Sequence, residues 1–293
     1  MYSDCHVRVR FHQPSPALRP YFTTFYLTEI EVPDGQRVVD WLHPEWANLR
    51  CFRGDLPLSE IQGEPPLQDV SAIVTGPTSS TLRFTIGTSR IWGIGFLPLG
   101  WSAFIGRQAN QYADRLFDAG CAPDFAPLSP LIDSLFDGEP DEMAELQRIE
   151  AYFLKRRDPD LPDRARIIAC HAALVDPDVS TVAEFAEATG IAAHTLERLC
   201  RRHFGFPPSL LLRRQRFMRS LAHYMLDPSL KWIGAIDGHY HDQAQFVRDF
   251  HRFMGMSPSE YAAAPHPILN AVMRARQEFV GSAVQALHVP KVD

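Results

Sequence analysis

The sequence has few cysteines and no long hydrophobic run. Its five cysteines (Cys5, Cys51, Cys121, Cys170 and Cys200) are odd in number and widely separated, and no two form a CxxC pair. This spacing argues against a disulfide framework and against a zinc ribbon. No apolar stretch approaches the roughly 18 residues that a membrane span needs, and the N-terminus lacks the basic-then-apolar order of a secretory signal. We therefore expect a cytoplasmic protein without a membrane partner.

Enzyme signatures are also missing. The chain contains no G-x-S-x-G nucleophile, no phosphate-binding loop and no dinucleotide fingerprint. The first 157 residues contain only three histidines, too few for a histidine-rich metal centre, and the pair Cys200 and His203 offers at most half of a zinc site, as does the run "HYHD" at 239–242. We predict no catalytic activity, no cofactor and no metal.

Positive charge is scarce except in one stretch. The net charge is −6, and residues 1–160 carry 14 Lys and Arg against 22 Asp and Glu. In residues 161–265 the numbers are 12 and 11, and Arg198 to Ser220 contains seven arginines and no acid. A solvated helix face usually mixes both signs, whereas a basic stretch in an acidic chain indicates a surface that binds an anion.

The first part of the chain predicts an antiparallel β-barrel or sandwich with flanking helices. Short runs rich in Val, Ile, Thr and aromatic residues alternate with turns such as "PDG" and "GPTSS". The predicted strands are "TTFYLTEIEV", "QRVVDWL", "NLRCFRG", "SAIVTG", "TLRFTIG" and "RIWGIGFL"; the predicted helices begin at Ser15 to Pro16, at Pro98, in "SPLIDSLF" and in "DEMAELQRIEAYFLKRR". We assign residues 1–157 to this domain and the proline-bearing residues 158–164 to a linker.

From Ala165 onward the pattern changes to short helices. One helix is predicted to begin at the N-cap Ser180 and to end at Gly190, and the next ends at Gly205. A second glycine-ended helix follows at an offset of fifty residues, which aligns Arg198 with Arg248. This repeat describes two helix–turn–helix units joined by one long helix, so we predict an all-α domain over residues 165–264.

The second unit, "HYHDQAQFVRDFHRFMGMSPSEY", resembles the DNA-binding domain of the AraC-type (arabinose-regulator-like) bacterial transcription factors. The matching positions are Tyr240, Asp242, Phe246, Arg248, Phe250, Gly255, Ser257, Pro258 and Tyr261. His239 replaces the turn glycine of the family, although Gly238 stands beside it. That position often favours a positive φ, so we expect either a shift onto Gly238 or a left-handed His239.

The N-terminal part more weakly resembles the β-rich, ligand-sensing domain that precedes this DNA-binding domain. The stretches that carry the likeness are "HPEWANLRCFRG", "VTGPTSS" and "IWGIGFLPLGWSAFIG". Together the two resemblances imply a sequence-specific transcription regulator whose first domain senses a small-molecule effector or mediates homodimerisation. Double-stranded DNA is the implied partner, with RNA polymerase as a second partner if the protein is an activator. The alternative is a ligand-binding or scaffold protein of the same fold that has lost DNA binding.

In a helix-turn-helix, the second helix enters the major groove with its first residues towards the base edges. In the first unit this geometry predicts base contacts by His194, Glu197 and Arg198 and phosphate contacts by Arg201 and Arg202. In the second unit it predicts contacts by Gln243, Gln245, Val247 and Arg248. An ion pair within the domain is the alternative role for Arg198 and Arg248. The arginines 213, 214 and 216 either neutralise the DNA backbone or face acids of the first domain.

Aromatic residues of the first domain are candidates for an effector pocket. The predicted pocket residues are Trp41, Trp46 and Trp92, with His43 or Arg50 orienting a polar group of the ligand. The alternative is that the aromatic residues form the barrel core. After residue 264 the chain continues with an amphipathic extension over 265–293, which either packs back on the sensor domain or forms a dimer contact.

Overall fold

The computed structural model describes residues 5–157, 160–227 and 232–289. Its strands all lie in the first part of the chain. They are β1 (His6–His12), β2 (Phe22–Glu31), β3 (Val38–Leu42), β4 (Asn48–Gly54), β5 (Leu58–Ile61), β6 (Leu67–Gln68), β7 (Ala72–Thr75), β8 (Leu82–Ile86), β9 (Ser89–Phe96) and β10 (Leu116–Asp118).

The strands form two antiparallel sheets. The order of the larger sheet is β1-β2-β9-β4-β7-β10, and the order of the smaller sheet is β3-β8-β5-β6. This arrangement confirms the β-rich N-terminal fold, and β4 spans the run "NLRCFRG" that predicted it. The strand β1 was not among the predicted strands, although Val7, Val9 and Phe11 alternate with arginines as in a half-buried strand. In the structure it pairs with β2 along its whole length.

The remaining elements are helical. They are α1 (Pro98–Gly100), α2 (Ser129–Ser134), α3 (Glu142–Arg156), α4 (Arg164–Val175), α5 (Val182–Thr189), α6 (Ala193–Phe204), α7 (Pro208–Leu226), α8 (Trp232–Ala235), α9 (Gln243–Met254), α10 (Pro258–Ala263) and α11 (Pro267–Val280). A π-helical turn at Trp101–Ile105 continues α1, and the helix predicted after Ser15 is a single 3-10 turn at Pro16–Leu18. None of the described helices is both long and apolar enough to span a bilayer.

The start of α5 differs by one residue from the prediction. Thr181, rather than Ser180, is the N-cap: its hydroxyl accepts a hydrogen bond from the backbone N–H of Glu184. The Glu184 carboxylate accepts in return from the Thr181 backbone N–H, which completes a capping box. Ser180 also donates hydrogen bonds from its hydroxyl and its backbone N–H to the Glu184 carboxylate, and so helps to hold the capping box in place.

The predicted linker is described only in part. Asp158 and Pro159 lie outside the described residues, and α4 begins at Arg164, the last residue of the predicted linker. The side chain of Arg164 donates a hydrogen bond to the Tyr21 hydroxyl at 2.7 Å, so the first helix after the linker contacts the β-domain. The domain boundaries themselves stay a prediction.

The C-terminal extension packs back on the β-domain, which was the first of the two alternatives. Its helix α11 contacts β1 and β3. The carboxylate of Asp40, on β3, accepts hydrogen bonds from the backbone N–H groups of Ile268 (2.8 Å) and Leu269 (2.9 Å). Asp40 therefore satisfies two of the N–H groups that the first turn of a helix leaves without an intrahelical partner.

Candidate nucleic-acid interface and effector cavity

The first helix-turn-helix unit consists of α5, a tight turn and α6. The turn begins at Gly190, whose φ of 64° lies in the left-handed region that favours glycine. Leu196, Cys200 and Phe204 are buried on one face of α6. Hydrogen bonding with Cys170 and burial raise the pKa of the Cys200 thiol, which makes it a core residue and a poor metal ligand.

The other face of α6 carries the predicted DNA contacts. His194, Arg198 and Arg202 are exposed. Glu197 and Arg201 form an ion pair at 2.8 Å across one turn of the helix. Arg198 and Arg202 take part in no ion pair within the described residues, so their guanidinium groups are available to an incoming anion.

The second unit consists of α8, a turn and α9. The ring of Trp232 stacks on Tyr224 with a centroid distance of 3.5 Å and also packs against Phe246 and Phe250 of α9. Phe250 packs in turn on Tyr261 of α10. These aromatic contacts orient α9 although α8 has only four residues.

The turn before α9 is not built on a left-handed residue. Neither Gly238 nor His239 has a positive φ, so both expected ways of accommodating His239 were wrong. The Asp237 carboxylate instead accepts a hydrogen bond from the His239 backbone N–H at 3.0 Å, and an ion pair with Arg219 at 2.5 Å holds that carboxylate. Because an aspartate side chain closes the turn, the glycine of the family pattern is not needed.

A buried carboxylate stabilises the second unit from inside. Asp249 of α9 is 0% exposed and forms ion pairs with Arg213 and Arg216 of α7. It also accepts a hydrogen bond from the Tyr240 hydroxyl at 2.9 Å. Two of the three α7 arginines therefore pair with an acid of their own domain, which neither of the predicted alternatives included.

The outward face of α9 resembles that of α6. Gln243 and Arg248 are exposed, and Arg248 takes part in no ion pair within the ranges that the structure describes. Gln245 is half-buried, and its side-chain oxygen accepts from the His241 backbone N–H at 3.2 Å. Val247 packs partly on the core of the unit. The ion-pair alternative for Arg198 and Arg248 is thus not realised in the described residues.

Arg214 joins the two domains. Its guanidinium is fully buried, donates to the backbone carbonyl of Thr78 at 2.8 Å and lies over the Trp46 ring, 4.1 Å from its centroid. Burial lowers the pKa of Arg214 to about 9, because no carboxylate compensates the buried charge directly. Arg214 therefore faces the β-domain but contacts carbonyls and a ring there, not an acid.

A cavity lies between the two sheets, and the C-terminal extension covers part of it. Both sheets, α11 and residues 283–285 line its wall. Two predicted pocket residues line it: His43 and Arg50. Arg50 pairs with Glu45 at 2.6 Å, and His43 Nε2 lies 2.6 Å from the hydroxyl of Tyr261. The pKa of His43 is lowered to about 3, mainly by burial and to a smaller extent by the neighbouring His266.

The other three predicted pocket residues lie elsewhere. Trp41 packs edge-on against His266, outside the cavity. Trp46 is buried against Phe204 and under Arg214, at the junction with the first helix-turn-helix unit. Trp92 is buried on the opposite face of the larger sheet, where its indole donates to Glu145. Trp46 and Trp92 are therefore core residues and not pocket residues. Strand alternation turns Trp92 away from the space between the sheets, and Trp46, in the loop between β3 and β4, packs against Phe204 instead.

Sequence reasoning missed the cavity residues Tyr26, Glu45 and Arg276. Tyr26 accepts a hydrogen bond from Arg50 Nε at 3.1 Å. Arg276 follows Met273 and Leu269 on the buried face of α11, at helical spacing. A cation at an apolar position of an amphipathic helix was the signal that could have identified it. No cluster of three or more possible metal ligands occurs in the described parts of the chain.

Comparison with known proteins supports the assignment of the C-terminal part. A family described as a helix-turn-helix domain matches residues 185–264. No curated protein matches the sequence.

Three solved structures align over most of the chain. ToxT from Vibrio cholerae is 13% identical, with a TM-score of 0.42, over 89% of this chain and 98% of that one. ToxT from the same organism with a bound unsaturated fatty acid is 11% identical, with a TM-score of 0.40, over 89% and 95%. The AraC-like transcriptional activator CuxR is 14% identical, with a TM-score of 0.29, over 74% and 87%.

The matched range begins inside α5 and ends after α10, so it contains most of the first unit, the whole second unit and the long helix between them. Residues 185–264 of this chain therefore match a helix-turn-helix domain, and they follow an antiparallel β-rich N-terminal part.

Proposed function

We propose that the protein is a sequence-specific DNA-binding transcription regulator that responds to a small molecule. The observation that carries the proposal is the pair Arg198 and Arg248. Each occupies the same position on the second helix of its unit, each is exposed, and neither is used in an ion pair within the described residues. A free guanidinium at that place has the geometry for a bidentate contact with O6 and N7 of guanine.

The neighbouring side chains divide into base readers and phosphate contacts. His194 and Gln243 are exposed near the start of their helices, where a purine N7 and an adenine edge are their natural partners. Arg202 lies further along α6 and suits a phosphate. Glu197 and Arg201 pair with each other, so a cytosine contact by Glu197 requires Arg201 to move to a phosphate.

Gln245 and Val247 have smaller roles in this proposal. The side-chain oxygen of Gln245 accepts a hydrogen bond at the start of α9, which leaves its amide N–H group for a base. Val247 is half-buried, so only its outer methyl group is placed for a thymine methyl contact. Two such units on one DNA face would read major-groove segments about 34 Å apart.

The cavity connects the effector to the DNA-binding domain. His43 lines the cavity and contacts Tyr261 of α10, and the extension that covers part of the cavity follows α10 directly. A ligand in this space would have different contacts when the second unit is docked and when it is released. Such differential affinity is what an effector requires to shift a regulator between two states.

The test is selection of binding sites from random double-stranded DNA by the full-length protein. We expect one enriched motif with two elements, and an affinity that falls with salt with a logarithmic slope of about −0.9 for each phosphate contacted. Arg198→Ala should weaken binding by about 1–3 kcal/mol and relax the preference at one base pair. Arg274→Ala, an exposed arginine on α11, is the matched control and should leave the selected motif unchanged.

Two outcomes would contradict the proposal. Failure to bind any DNA at about 50 mM salt, with the protein folded, would favour a ligand-binding protein that has lost DNA binding. An unchanged motif and affinity in Arg198→Ala would show that Arg198 is not a base reader.

A further inference from the structure

The long helix α7 contributes to two different hydrophobic cores. Leu211 and Leu212, near its start, belong to the core that the first unit shares with the β-domain. Phe217 and Met218, further along, belong to the core of the second unit. Gln215 lies between these two pairs and is only 1% exposed. A buried amide therefore marks the junction of the two units on α7.

The C-terminal segment, residues 282–288, lies against this junction. Gly281, with a φ of 74°, reverses the chain after α11. Nε2 of Gln215 then donates a hydrogen bond to the backbone carbonyl of Ala286 at 2.7 Å. Oε1 of Gln215 is buried and accepts no hydrogen bond from the residues that the structure describes. The C-terminal segment is thus what the Gln215 side chain binds at the junction.

The same segment reaches both units. Val284 and Ala286 are 4% and 0% exposed and belong to the core that contains Phe246 of α9. At the other end, the backbone of His288 forms a hydrogen bond with the imidazole of His171 on α4. The helix α4 packs against both α5 and α6 of the first unit. The segment therefore connects the helix that supports the first unit to the core of the second.

The C-terminal segment is also anchored on the β-domain. The amide of Gln285 packs so closely on Gly95 of β9 that a Cβ atom there would lie 2.4 Å from its nitrogen. Arg276 of α11 donates to the hydroxyl of Thr24 at 3.1 Å and lies 3.2 Å from Nδ1 of His288. Because several elements hold the segment, it cannot follow the movement of one unit without losing contacts to the others.

The angle between the two units matters for DNA that carries two elements. Each added base pair moves the second element by about 3.4 Å along the axis and turns it by about 35° around the axis. A rigid pair of reading helices fits one spacing of the elements, whereas a pair that pivots fits several. Since the two units have separate cores on α7, contacts across their junction decide how far they pivot.

We propose that the C-terminal segment fixes the distance and angle between α6 and α9 and thereby selects the spacing of the two DNA elements. Gln215 is the positioning residue on α7, and Ala286 is its partner in the segment. The inference rests on the proposed function, since it adds a spacing requirement to the base contacts assigned there. Gln215 and Ala286 are buried, so they act through the position of the helices and not through contact with DNA.

The test uses duplexes that carry the selected motif with its spacer shortened or lengthened by one or two base pairs. Fluorescence anisotropy measures the affinity of the full-length protein for each duplex. We expect one best spacing, with a loss of about tenfold or more for a change of one base pair. Point changes of the bases within each element, at the best spacing, measure base preference separately.

Ala286→Glu is the variant that detaches the C-terminal segment. It places a carboxylate at a position that is 0% exposed, so the segment has to leave the junction. The loss for a change of one base pair in the spacer should fall to about threefold or less, with base preference unchanged. Ala151→Glu, at an exposed alanine on α3, adds the same charge and is the matched control.

Gln215→Ala is a second and milder variant. It removes the amide that binds Ala286 but leaves the apolar contacts of the segment in place, so it decides the matter if Ala286→Glu does not fold. Circular dichroism establishes that each variant is folded. We expect its spacing preference to lie between those of the unaltered protein and Ala286→Glu.

The outcomes separate this inference from the proposed function. Selection of no motif would contradict both. A motif with one element, or with two elements bound equally well at every spacing, would overturn the inference and leave the regulator standing. An unchanged spacing preference in the folded variants would also overturn it. A loss of base preference together with spacing preference would show that the segment supports the fold of the units and not their spacing.

Discussion

The two helix-turn-helix units have the same order of helices but are attached to the molecule in different ways. In the first unit, Phe204 belongs to a hydrophobic core that continues into the β-domain through Trp46. In the second unit, Phe246 and Phe250 form a separate core with Tyr261 and with residues of the C-terminal extension. The first unit thus shares the hydrophobic core of the β-domain, whereas the second unit has a small hydrophobic core of its own.

This difference places the second unit beside the cavity between the two sheets. Leu269 and Met273 belong both to the core of the second unit and to the cavity wall, and Tyr261 contacts His43 in that wall. The second unit also contains the buried carboxylate of Asp249, whereas the prominent ion pair of the first unit, Glu197–Arg201, is exposed. The second unit is therefore attached largely through a buried carboxylate with its arginines, whereas the first is attached through Trp46, which packs on Phe204 and under Arg214.

The largest effect that separates the two units is expected from Asp249→Ala. The change leaves Arg216 and Tyr240 partly or fully buried without their acceptor, so we expect a loss of about 3–5 kcal/mol in the free energy of unfolding. Urea unfolding followed by circular dichroism measures it. Glu197→Ala is the matched change in the first unit and should cost no more than about 1 kcal/mol, because its ion pair is exposed. Equal costs would mean that the two units are held in the same way.

Acid is expected to weaken the attachments of both units alike. Burial lowers the pKa of His43, which contacts the second unit, and of His171, which packs on Trp46 and Phe204 of the first junction, to about 3. An unfolded histidine titrates near 6.5, so below that pH the unfolded chain binds more protons and the free energy of unfolding falls. Each histidine should contribute about 1.4 kcal/mol per pH unit between pH 6.5 and 3.

Urea unfolding at pH 7.5 and at pH 5.0 measures this contribution. The difference in the free energy of unfolding should be about 2 kcal/mol smaller in His43→Gln, and likewise in His171→Gln, than in the unaltered protein. His241→Gln removes an exposed histidine and should leave the difference unchanged. If only one of the two buried histidines alters the pH dependence, acid acts on one attachment alone.

The smallest effect is expected at the starts of α6 and α9. The N-cap of α9 is Asp242, which accepts a hydrogen bond from the backbone N–H of Gln245 at 2.6 Å, whereas the N-cap of α6 is Ala192, which has no side-chain acceptor. Asp242→Ala should destabilise the protein by about 1 kcal/mol, and Ala192→Asp should stabilise it by about 0.5–1 kcal/mol. Thermal unfolding measures both. A destabilising Ala192→Asp would show that the start of α6 is constrained by something other than its missing cap.

The fold was predictable where a local pattern repeats. The fifty-residue offset between Arg198 and Arg248 predicted two similar units, and the glycine-ended helices lie where the pattern indicated. The turn before α9 was not predictable in detail, because Asp237, Arg219 and the backbone at His239 meet only once α7 and α9 have packed. A single-residue rule for glycine could not reveal that arrangement.

The candidate site was likewise predictable where it depends on a local pattern and not where it depends on packing. Exposure of the predicted DNA contacts follows from helix periodicity, which places Arg198 and Arg248 opposite the buried face of each helix. The cavity does not follow from periodicity. Of the residues predicted to form a pocket, only His43 and Arg50 line it, because the pairing of strands and the return of α11 decide which side chains face that space.

The sequence by itself determined the two-part organisation, the repeat of helix-turn-helix units and the face of each second helix that meets solvent. These features depend on residue spacing along the chain, which local hydrogen bonding and hydrophobic periodicity translate directly into structure. Only the tertiary structure decided that Asp249 neutralises two arginines of α7, that Arg214 enters the β-domain, and that the extension places Arg276 in the cavity. Each of these contacts joins residues far apart in sequence. How the helices and strands pack together decides whether a charged side chain is solvated or buried beside a partner.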